Sequence, residues 1–584
     1  MLNISEWHET MLYHRVQPCG PVPTVEDEEG IYPYVSYCET AKRPDLCRFR
    51  MMAIENEWIK VTVCPDLGGK VHSLIDKSSG KEILFHSGSI RPVRILPRMA
   101  FISGGIEVSF PIAHTPVQIE TIHACVKQIG DRLYIWCGEQ EIRYGMQWTV
   151  EYSLGSDDRY LTQRTLFHNP TSQAHSWMSW SNAALPARSD SQFHFPSGQV
   201  LRHADVLEEI EWEKNREYLL ADYDRMQGFF WRTTDCHAFG VYTPSLGTGL
   251  YHIADPVETP GIKLWIYGNG PHEEWAELSV ARRESYVEIQ AGPLVEQSDN
   301  DKLKPGERHL HTQYWIPSSK PLDIRELQLP EPQLMEAELI PLFDWAPHTM
   351  TAPWSRLVEA YRLGKSDLIP NPPGAEECVW PPSGMEHLGE AMEWASQYAD
   401  EDKRAQWTYY LGVWLAGRGD IDECLELLNS VETDWSCAFL GRLLRVSKQD
   451  YAASLEAYRK MDSPAWALHP QVFIERDITL SHIGPSTLEE REQWFEQVDS
   501  LLDDGLMERK AWFLFDKGAL LEAKAILEQH PFEKVHQRYK RSELWQLIVQ
   551  SMQSTETKVP DNLGEDDLET YGAYRVTESL AVEQ

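Results

Sequence analysis

The chain has 584 residues, of which 42% are hydrophobic and 25% charged, a composition typical of folded globular proteins and not of disordered ones. Its formal net charge of −36 predicts repulsion from a phosphate backbone and from anionic lipid, so neither nucleic acid nor a membrane is an expected partner. No run is apolar enough to span a bilayer, and residues 1–16 lack the basic start and apolar stretch of a signal peptide. We therefore predict a cytoplasmic protein.

The N-terminal half reads as an all-β domain. Residues 1–29 are predicted to be an extension that precedes it. From residue 30 to 335, short runs with alternating side chains are separated by turn residues, as in Trp58–Cys64, Arg132–Cys137 and Gln147–Leu154. No helical pattern intervenes, and about 300 residues exceed one ordinary sandwich. The pattern predicts a large, two-layered antiparallel β sandwich.

Three of the predicted strands have one aliphatic face and one polar and aromatic face. They are Gly105–Phe110, Ile262–Tyr267 and Tyr286–Ala291. The second face carries Glu107, Lys263, Trp265, Glu288 and Gln290. Aromatic rings beside hydrogen-bonding groups suit a sugar, whose C–H patches stack on rings while its hydroxyls need fixed donors and acceptors. We predict a carbohydrate cleft on this face; the alternative is a half-exposed sheet that loops or the helical domain cover.

The C-terminal half reads as helical. After a Pro-rich passage at 329–332 the apolar period becomes 3.6, and residues 336–550 are predicted to form an α-helical repeat domain. Leu411-Gly412, Gly419-Asp420 and Cys424 reproduce the spacing of a tetratricopeptide repeat (TPR). Residues 551–584 are predicted to be an acidic, solvated tail. The repeats are expected to pack on the β domain or to mediate self-association, so we predict a homo-oligomer.

No metal or cofactor is expected. The ten cysteines have no zinc-ligand spacing and are predicted to be free thiols. The chain also contains no glycine-rich phosphate loop and no cofactor fingerprint. Any chemistry is therefore expected to come from side chains alone.

Several strings of the β domain resemble a large bacterial family of galactose-mutarotase-like domains, which are often fused to TPR repeats. They include Pro65–Lys70 (PDLGGK), Ser103–Glu107 (SGGIE), Trp180–Ala184 (WSNAA) and Tyr286–Gly292 (YVEIQAG). The resemblance covers about residues 30 to 320 and implies a β-supersandwich of the kind found in aldose 1-epimerases. The members of this family have long lacked an assigned function, so the resemblance does not fix the activity.

The same resemblance argues against simple mutarotation. Aldose 1-epimerases carry a His-x-Tyr-Phe-Asn string at the turn that corresponds to Met178–Asn182. Asn182 matches the final Asn, but Met178 stands at the position of the proton-transferring His. A thioether cannot transfer a proton.

Cleavage of a glycosidic bond needs two carboxyl groups, one as acid and one as base or nucleophile. Glu107 and Glu288 are the predicted catalytic pair, and His114, seven residues after Glu107, is predicted to supplement or replace one of them as proton donor. The predicted sugar contacts are Asn182, Asp255, Lys263, Trp265, Trp275 and Gln290. The leading hypothesis is a glycoside hydrolase for small oligosaccharides or glycosides. The alternatives are a sugar epimerase or mutarotase with altered catalytic residues, and a noncatalytic sugar-binding or assembly protein.

Overall fold

A computed structural model describes residues 2–563 with the exception of 26–31, 42, 94–100, 113, 204–206, 225, 268–284, 297–299, 331–344, 346–348, 499–502, 533–537 and 561. Within this part of the chain, strands occupy the first half and helices the second. None of the described helices is long and apolar enough to cross a membrane.

The strands are β1 (Asn3–Tyr13), β2 (Val16–Pro18), β3 (Tyr37–Thr40), β4 (Asp45–Glu55), β5 (Ile59–Cys64), β6 (Lys70–Asp76), β7 (Lys81–Glu82), β8 (Ile106–Val108), β9 (His123–Ile129), β10 (Arg132–Gln140), β11 (Gln147–Gly155), β12 (Leu161–His168), β13 (His175–Trp177), β14 (Ser181–Pro186), β15 (Gln192–His194), β16 (Gly198–His203), β17 (Leu207–Trp212), β18 (Gln227–Trp231), β19 (Ala238–Thr243), β20 (Thr248–Ala254), β21 (Gly261–Ile266), β22 (Tyr286–Gly292), β23 (Asp301–Leu303) and β24 (Arg308–Ser318).

The helices are α1 (Ala352–Leu363), α2 (Leu388–Tyr398), α3 (Glu401–Gly417), α4 (Ile421–Asn429), α5 (Asp434–Lys448), α6 (Tyr451–Arg459), α7 (Pro464–Ala467), α8 (Pro470–Ile483), α9 (Leu488–Gln497), α10 (Asp504–Asp516), α11 (Leu520–Gln529) and α12 (Arg538–Ser551).

Two large sheets form the β domain. The larger has the order β1-β4-β5-β6-β8-β14-β22-β21-β18-β16-β17, with β7 paired to β6, and the smaller has the order β15-β19-β20-β24-β12-β11-β10-β9. The side chains predicted to be aliphatic, such as Ile106, Leu264 and Ile289, are buried in one core together with Ile135 and Val150 of the smaller sheet. The predicted fold class is therefore confirmed: a two-layered antiparallel β-supersandwich followed by helical repeats.

The chain enters β8 through two glycines of the SGGIE string, at positions that only glycine suits. Gly104 and Gly105 have φ angles of +93° and +73°, in the left-handed region. A Cβ on Gly104 would lie 2.5 Å from the carbonyl oxygen of Phe85, and one on Gly105 would lie 2.9 Å from Cε of Lys70. The close approach of the chain at these glycines fixes the direction in which Glu107 leaves the sheet.

The predicted extension at residues 1–29 needs a correction. Strand β1 pairs with β4 along its whole length, from Asn3 opposite Glu55 to Tyr13 opposite Asp45, and forms an edge of the larger sheet. Its many polar side chains are mostly exposed or half-buried, as is usual for an edge strand. Because these side chains are polar, β1 lacks the apolar alternation by which the other strands were predicted.

The helical half is a repeat array. Where α3 crosses α4, a Cβ on Gly412 would lie 2.9 Å from a methyl carbon of Leu428, and Cys424 is fully buried beside it. Gly419, with φ of +88°, makes the turn between the two helices. The TPR spacing seen in the sequence thus corresponds to a tight helix crossing.

The predicted tail also needs a correction at its start. Leu563 is fully buried, and its carbonyl accepts a hydrogen bond of 2.7 Å from Nε of Arg541. The side-chain amide of Asn562 donates to the carbonyl oxygens of Leu527 and His530 at 3.0 and 2.6 Å. The chain therefore packs on the last helices up to residue 563, and residues 564–584 lie outside the described part.

A segment before β3 joins the two domains. The side-chain amide of Gln471 on α8 accepts from the N–H of Val22 at 2.8 Å and donates to its carbonyl at 2.9 Å. The hydroxyl of Tyr32 donates to the carbonyl of Pro381 at 2.5 Å. Val22 and Tyr32 are buried in the core of the helical domain. We call residues 19–25 together with Tyr32 the N-terminal tie.

Free thiols were predicted for the cysteines. The nine whose side chains the structure describes are all free. Burial raises the pKa of Cys64 to about 12. Such thiols are inert packing groups.

Two buried histidines of the sandwich, His252 and His311, contribute to the pH dependence of stability. Burial lowers the pKa of His252 and of His311 to about 3, from an ordinary 6.5. Below pH 6.5 the unfolded chain binds protons that the folded chain does not, so stability falls as pH drops from 6.5 towards 3, by about 1.4 kcal/mol per pH unit for each histidine. Urea unfolding followed by circular dichroism between pH 7 and 4 measures this slope.

The variant His311→Phe keeps an aromatic ring but cannot titrate, so its stability should depend less steeply on pH. His8→Phe, at an exposed position of β1, is the matched control and should keep the wild-type slope. If stability depended equally steeply on pH in the wild type, His311→Phe and His8→Phe, the assignment of this dependence to His311 would be wrong.

Candidate active site

Polar side chains form a row across the outer face of the larger sheet. Glu107 on β8 pairs with Asn182 on β14, Asn182 pairs with Gln290 on β22, and Gln290 pairs with Lys263 on β21. Residues opposite each other in a sheet point to the same face. Glu288 lies two residues from Gln290 and therefore also points to this face. Four strands thus bring these groups together.

Glu107 is held as an acceptor. It is 3% exposed, and its Oε1 accepts from Nδ1 of His114 at 2.7 Å, from Nδ2 of Asn182 at 3.2 Å and from Oγ of Ser109 at 3.3 Å. Donors directed at a carboxylate favour its charged form. One hydrogen is shared between Nδ1 of His114 and Oε1 of Glu107. Oε2 is left to face the site.

His114 is positioned by its own backbone and by an aromatic ring. Its φ of +55° is in the left-handed region, and its N–H donates to Oγ of Ser109 at 3.2 Å. Its imidazole packs edge-to-face on Phe101, with ring centroids 4.9 Å apart. The ring is therefore fixed in orientation against Glu107.

Glu288 is in a different environment. It is 2% exposed, and its Oε2 accepts from the hydroxyl of Tyr267 at 3.2 Å and from Nε2 of Gln290 at 2.8 Å. Burial raises the pKa of Glu288 to about 7, and the charge of Glu107 acts in the same direction. A large fraction of Glu288 is therefore protonated near neutral pH. Because Oε2 receives both of these donors, Oε1 is the oxygen without a hydrogen bond from the described residues.

Two lysines flank the carboxyl groups. Burial lowers the pKa of Lys263, whose Nζ lies 4.9 and 5.2 Å from the ring centroids of Phe230 and Trp265. Burial also lowers the pKa of Lys70, whose Nζ donates to the carbonyl of Ile102 at 2.9 Å. The site thus holds two carboxyl groups and two amines of reduced basicity.

Two indole rings pack over glycine residues on the outer face of the larger sheet. A Cβ on Gly261 or Gly292 would lie 2.7 or 3.1 Å from the ring of Trp180, and a Cβ on Gly228 would collide with the ring of Trp265. Both rings are within 6 Å of Nζ of Lys263, at 5.7 and 5.2 Å from their centroids. Flat apolar surface therefore stands beside the charged groups.

Most of the residues predicted from the sequence meet here. The structure brings together Glu107, His114, Asn182, Lys263, Trp265, Glu288 and Gln290. Asp255 is not part of the cluster: it is exposed, it follows β20 of the smaller sheet, and its Oδ1 accepts from the N–H of Val257 at 2.8 Å. Asp255 starts a turn, so its prediction as a sugar contact is corrected. Trp275 lies outside the described residues.

The sequence reasoning missed Lys70, Trp180 and Tyr267 as members of the cluster. Lys70 and Trp180 stand in the PDLGGK and WSNAA strings, so the motifs contained them. The missing information was strand order: Val71 pairs with Ile106, which sets Lys70 beside Glu107. Tyr267 follows β21 and reaches Glu288 only because β21 and β22 are neighbours.

Removal of the amine at position 263 should shift the titration of Glu288. A positive charge on Lys263 lowers the pKa of Glu288, so the variant Lys263→Met is expected to raise it. The pKa is measured by carboxyl-carbon NMR titration of the labelled protein, or from the basic limb of a pH–rate profile. Lys127→Met, an exposed position on β9, is the control and should leave the titration in place. A lowered pKa in Lys263→Met would contradict this coupling.

Comparisons with known proteins show family and fold. A family model described as a domain of unknown function (DUF5107) matches residues 26–318, and a model of a C-terminal domain matches residues 354–548. The chain is similar to a TPR-domain containing protein from Parabacteroides distasonis, with 46% identity, a TM-score of 0.90, and coverage of 97% of this chain and 98% of that one.

Solved structures of galactose mutarotase-like proteins are also similar to part of the chain. One from Clostridium acetobutylicum has 13% identity and a TM-score of 0.36, and covers 46% of this chain and 95% of that one. One from Lactobacillus casei has 10% identity and a TM-score of 0.35, and covers 46% of this chain and 99% of that one.

Proposed function

We propose that the β domain is a carbohydrate-active enzyme that hydrolyses small oligosaccharides or glycosides. The chain belongs to the DUF5107 family of domains of unknown function. One observation carries the proposal. Two buried carboxyl groups lie on one sheet face in unlike surroundings: three polar groups contact Oε1 of Glu107, whereas burial raises the pKa of Glu288 to about 7. Paired carboxyl groups in different environments are typical of acid–base catalysis on sugars.

In the proposed reaction each glutamate has one role. Oε1 of Glu288 gives its proton to the glycosidic oxygen as the bond to the anomeric carbon breaks, so the leaving group departs as a neutral alcohol. Oε2 of Glu107 takes a proton from a water molecule whose oxygen bonds to that carbon, which gives the hemiacetal and leaves Glu107 protonated and Glu288 ionised. In the other route, Oε2 of Glu107 bonds to the carbon itself, and a water molecule that gives a proton to Glu288 then displaces it, which yields the hemiacetal and restores both glutamates. The indole of Trp265 offers a stacking surface for the ring.

A second activity uses the same two atoms. If Oε2 of Glu107 takes the proton of an anomeric hydroxyl and Glu288 protonates the ring oxygen, the sugar opens and its anomers exchange. The observation that favours this candidate is His114, which puts an imidazole on Glu107 although Met178 replaces the histidine of the epimerase string. A sugar epimerase or mutarotase is therefore the alternative to the hydrolase.

A single set of assays separates these activities. The protein is incubated with α- and β-linked disaccharides and aryl glycosides while released reducing sugar is measured, and proton NMR follows anomeric exchange of free hexoses. Release of reducing sugar supports the hydrolase. Exchange without release supports the epimerase, binding with neither supports a sugar-binding protein, and a protein that neither binds nor converts any sugar would sink the proposal. Cytoplasmic location and homo-oligomerisation remain predictions.

A further inference from the structure

Four polar side-chain atoms at the site are buried and accept or donate no hydrogen bond within the described part of the chain. They are Oδ1 of Asn182, Oε1 of Gln290, and Nε1 of Trp180 and of Trp265. Asn182 is 5% exposed, and Gln290 and Trp180 are each 2% exposed. Buried polar atoms are normally paired, and leaving one unpaired is costly. Four such atoms at one place indicate a polar ligand.

The orientation of the two amides is fixed by the carboxyl groups. Nδ2 of Asn182 donates to Oε1 of Glu107. Nε2 of Gln290 donates to Oε2 of Glu288, the oxygen that also accepts from Tyr267. Each amide thus directs its nitrogen at a glutamate and turns its oxygen away from it. The two amide oxygens are acceptors and need donors from the ligand.

The two amide oxygens lie on directly opposed residues. Asn182 and Gln290 face each other across β14 and β22, so their Cβ atoms are about 5 Å apart. Neighbouring hydroxyls on a sugar ring can donate to two acceptors at that spacing. The indole N–H groups differ in kind because they only donate, and they suit oxygens that accept, such as the ring oxygen or another hydroxyl.

We propose that the site reads two adjacent free hydroxyl groups of the sugar as hydrogen donors, one to Oδ1 of Asn182 and one to Oε1 of Gln290, while the indole N–H groups bind sugar oxygens as acceptors. The inference rests on the proposed function, because it concerns the same site. It names the substrate class: a sugar with free hydroxyl groups at these two positions. Sugars that are deoxy, O-methylated or fluorinated at either position should bind more weakly, since none of those groups donates.

A series of modified monosaccharides tests this reading. Binding of glucose, galactose and mannose to the full chain is measured by calorimetry, followed by the monodeoxy and deoxyfluoro derivatives of the one that binds best. At two neighbouring positions both derivatives should bind about 10- to 100-fold more weakly. At a position that contacts an indole N–H, the fluorine still accepts, so the deoxyfluoro sugar should bind better than the deoxy sugar.

The variant Gln290→Met removes one acceptor and keeps a chain of similar length. It should bind the parent sugar more weakly and should no longer discriminate against the derivative modified at one of the two positions. Gln128→Met, at an exposed position of β9, is the matched control and should keep the wild-type pattern. A general loss of structure would weaken all sugars equally, so the change in pattern distinguishes a direct contact from misfolding.

The outcomes separate the two proposals. If none of the three hexoses binds, both the carbohydrate site and its hydroxyl reading are overturned. If a hexose binds but its deoxy derivatives bind equally well at every position, the carbohydrate site stands and the hydroxyl reading is wrong. If the deoxyfluoro sugars kept the affinity of the parent sugar at both neighbouring positions, the protein would donate hydrogen bonds there. That result would contradict the assigned amide orientation.

Discussion

Replacing Glu288 by glutamine is expected to lower kcat about 10²- to 10⁴-fold, the usual contribution of a general acid. An amide of the same shape can still accept the hydrogen bond from Tyr267, but it has no proton of suitable acidity to give to a leaving oxygen. KM should change little, because binding of the ground state does not need that proton. Steady-state kinetics on the most rapidly converted substrate measure both constants.

The pH profile of the wild type provides an internal check. Glu288 acts in its protonated form, so activity should fall as pH rises through about 7, and this limb should vanish from the residual activity of Glu288→Gln. Glu57→Gln, at an exposed position between β4 and β5, is the matched control and should keep the full rate. A Glu288→Gln variant with wild-type kcat would remove Glu288 from the mechanism.

Replacing Glu107 by glutamine is expected to lower kcat by a similar 10²- to 10⁴-fold, through loss of the base or nucleophile. The amide can still accept from one donor, but it carries no charge to take up a proton or to attack carbon. Steady-state kinetics of the variant and the wild type measure this loss, and a wild-type kcat in Glu107→Gln would remove Glu107 from the mechanism.

His114 allows a graded control for this second variant. It contacts Glu107 at 2.7 Å and is a positioning residue in the hydrolase, so His114→Asn should lose less activity than Glu107→Gln. If His114→Asn lost as much kcat as Glu107→Gln, the imidazole would be a proton carrier in its own right. That result would favour the epimerase.

Strand alternation was enough to predict most of the site. Period-2 patterning alone put Glu107, Glu288 and Gln290 on the face away from the aliphatic core, and the sheet confirms that arrangement. Alternation acts within one strand and carries no information on which strands are neighbours. Lys70 was therefore missed, because its place beside Glu107 depends on the pairing of β6 with β8.

Two predictions failed for different reasons. Asp255 was predicted as a sugar contact, but its carboxylate accepts from the N–H of Val257 two residues later and starts a turn, which is local chemistry. Strand β1 was predicted as an extension because a polar edge strand has little apolar alternation. Its pairing depends on β4, a partner distant in the chain that a single sequence does not show.

The N-terminal tie has a consequence for how the two halves can be separated. A fragment that begins at residue 30, where the sequence pattern places the start of the β domain, would leave β4 without its eleven-residue partner strand and thus with an open, aggregation-prone edge. The repeats would lose the backbone of Val22, and the amide of Gln471 would then be open to another extended peptide. Both domains therefore depend on the first 25 residues, and a fragment of either domain needs to include them.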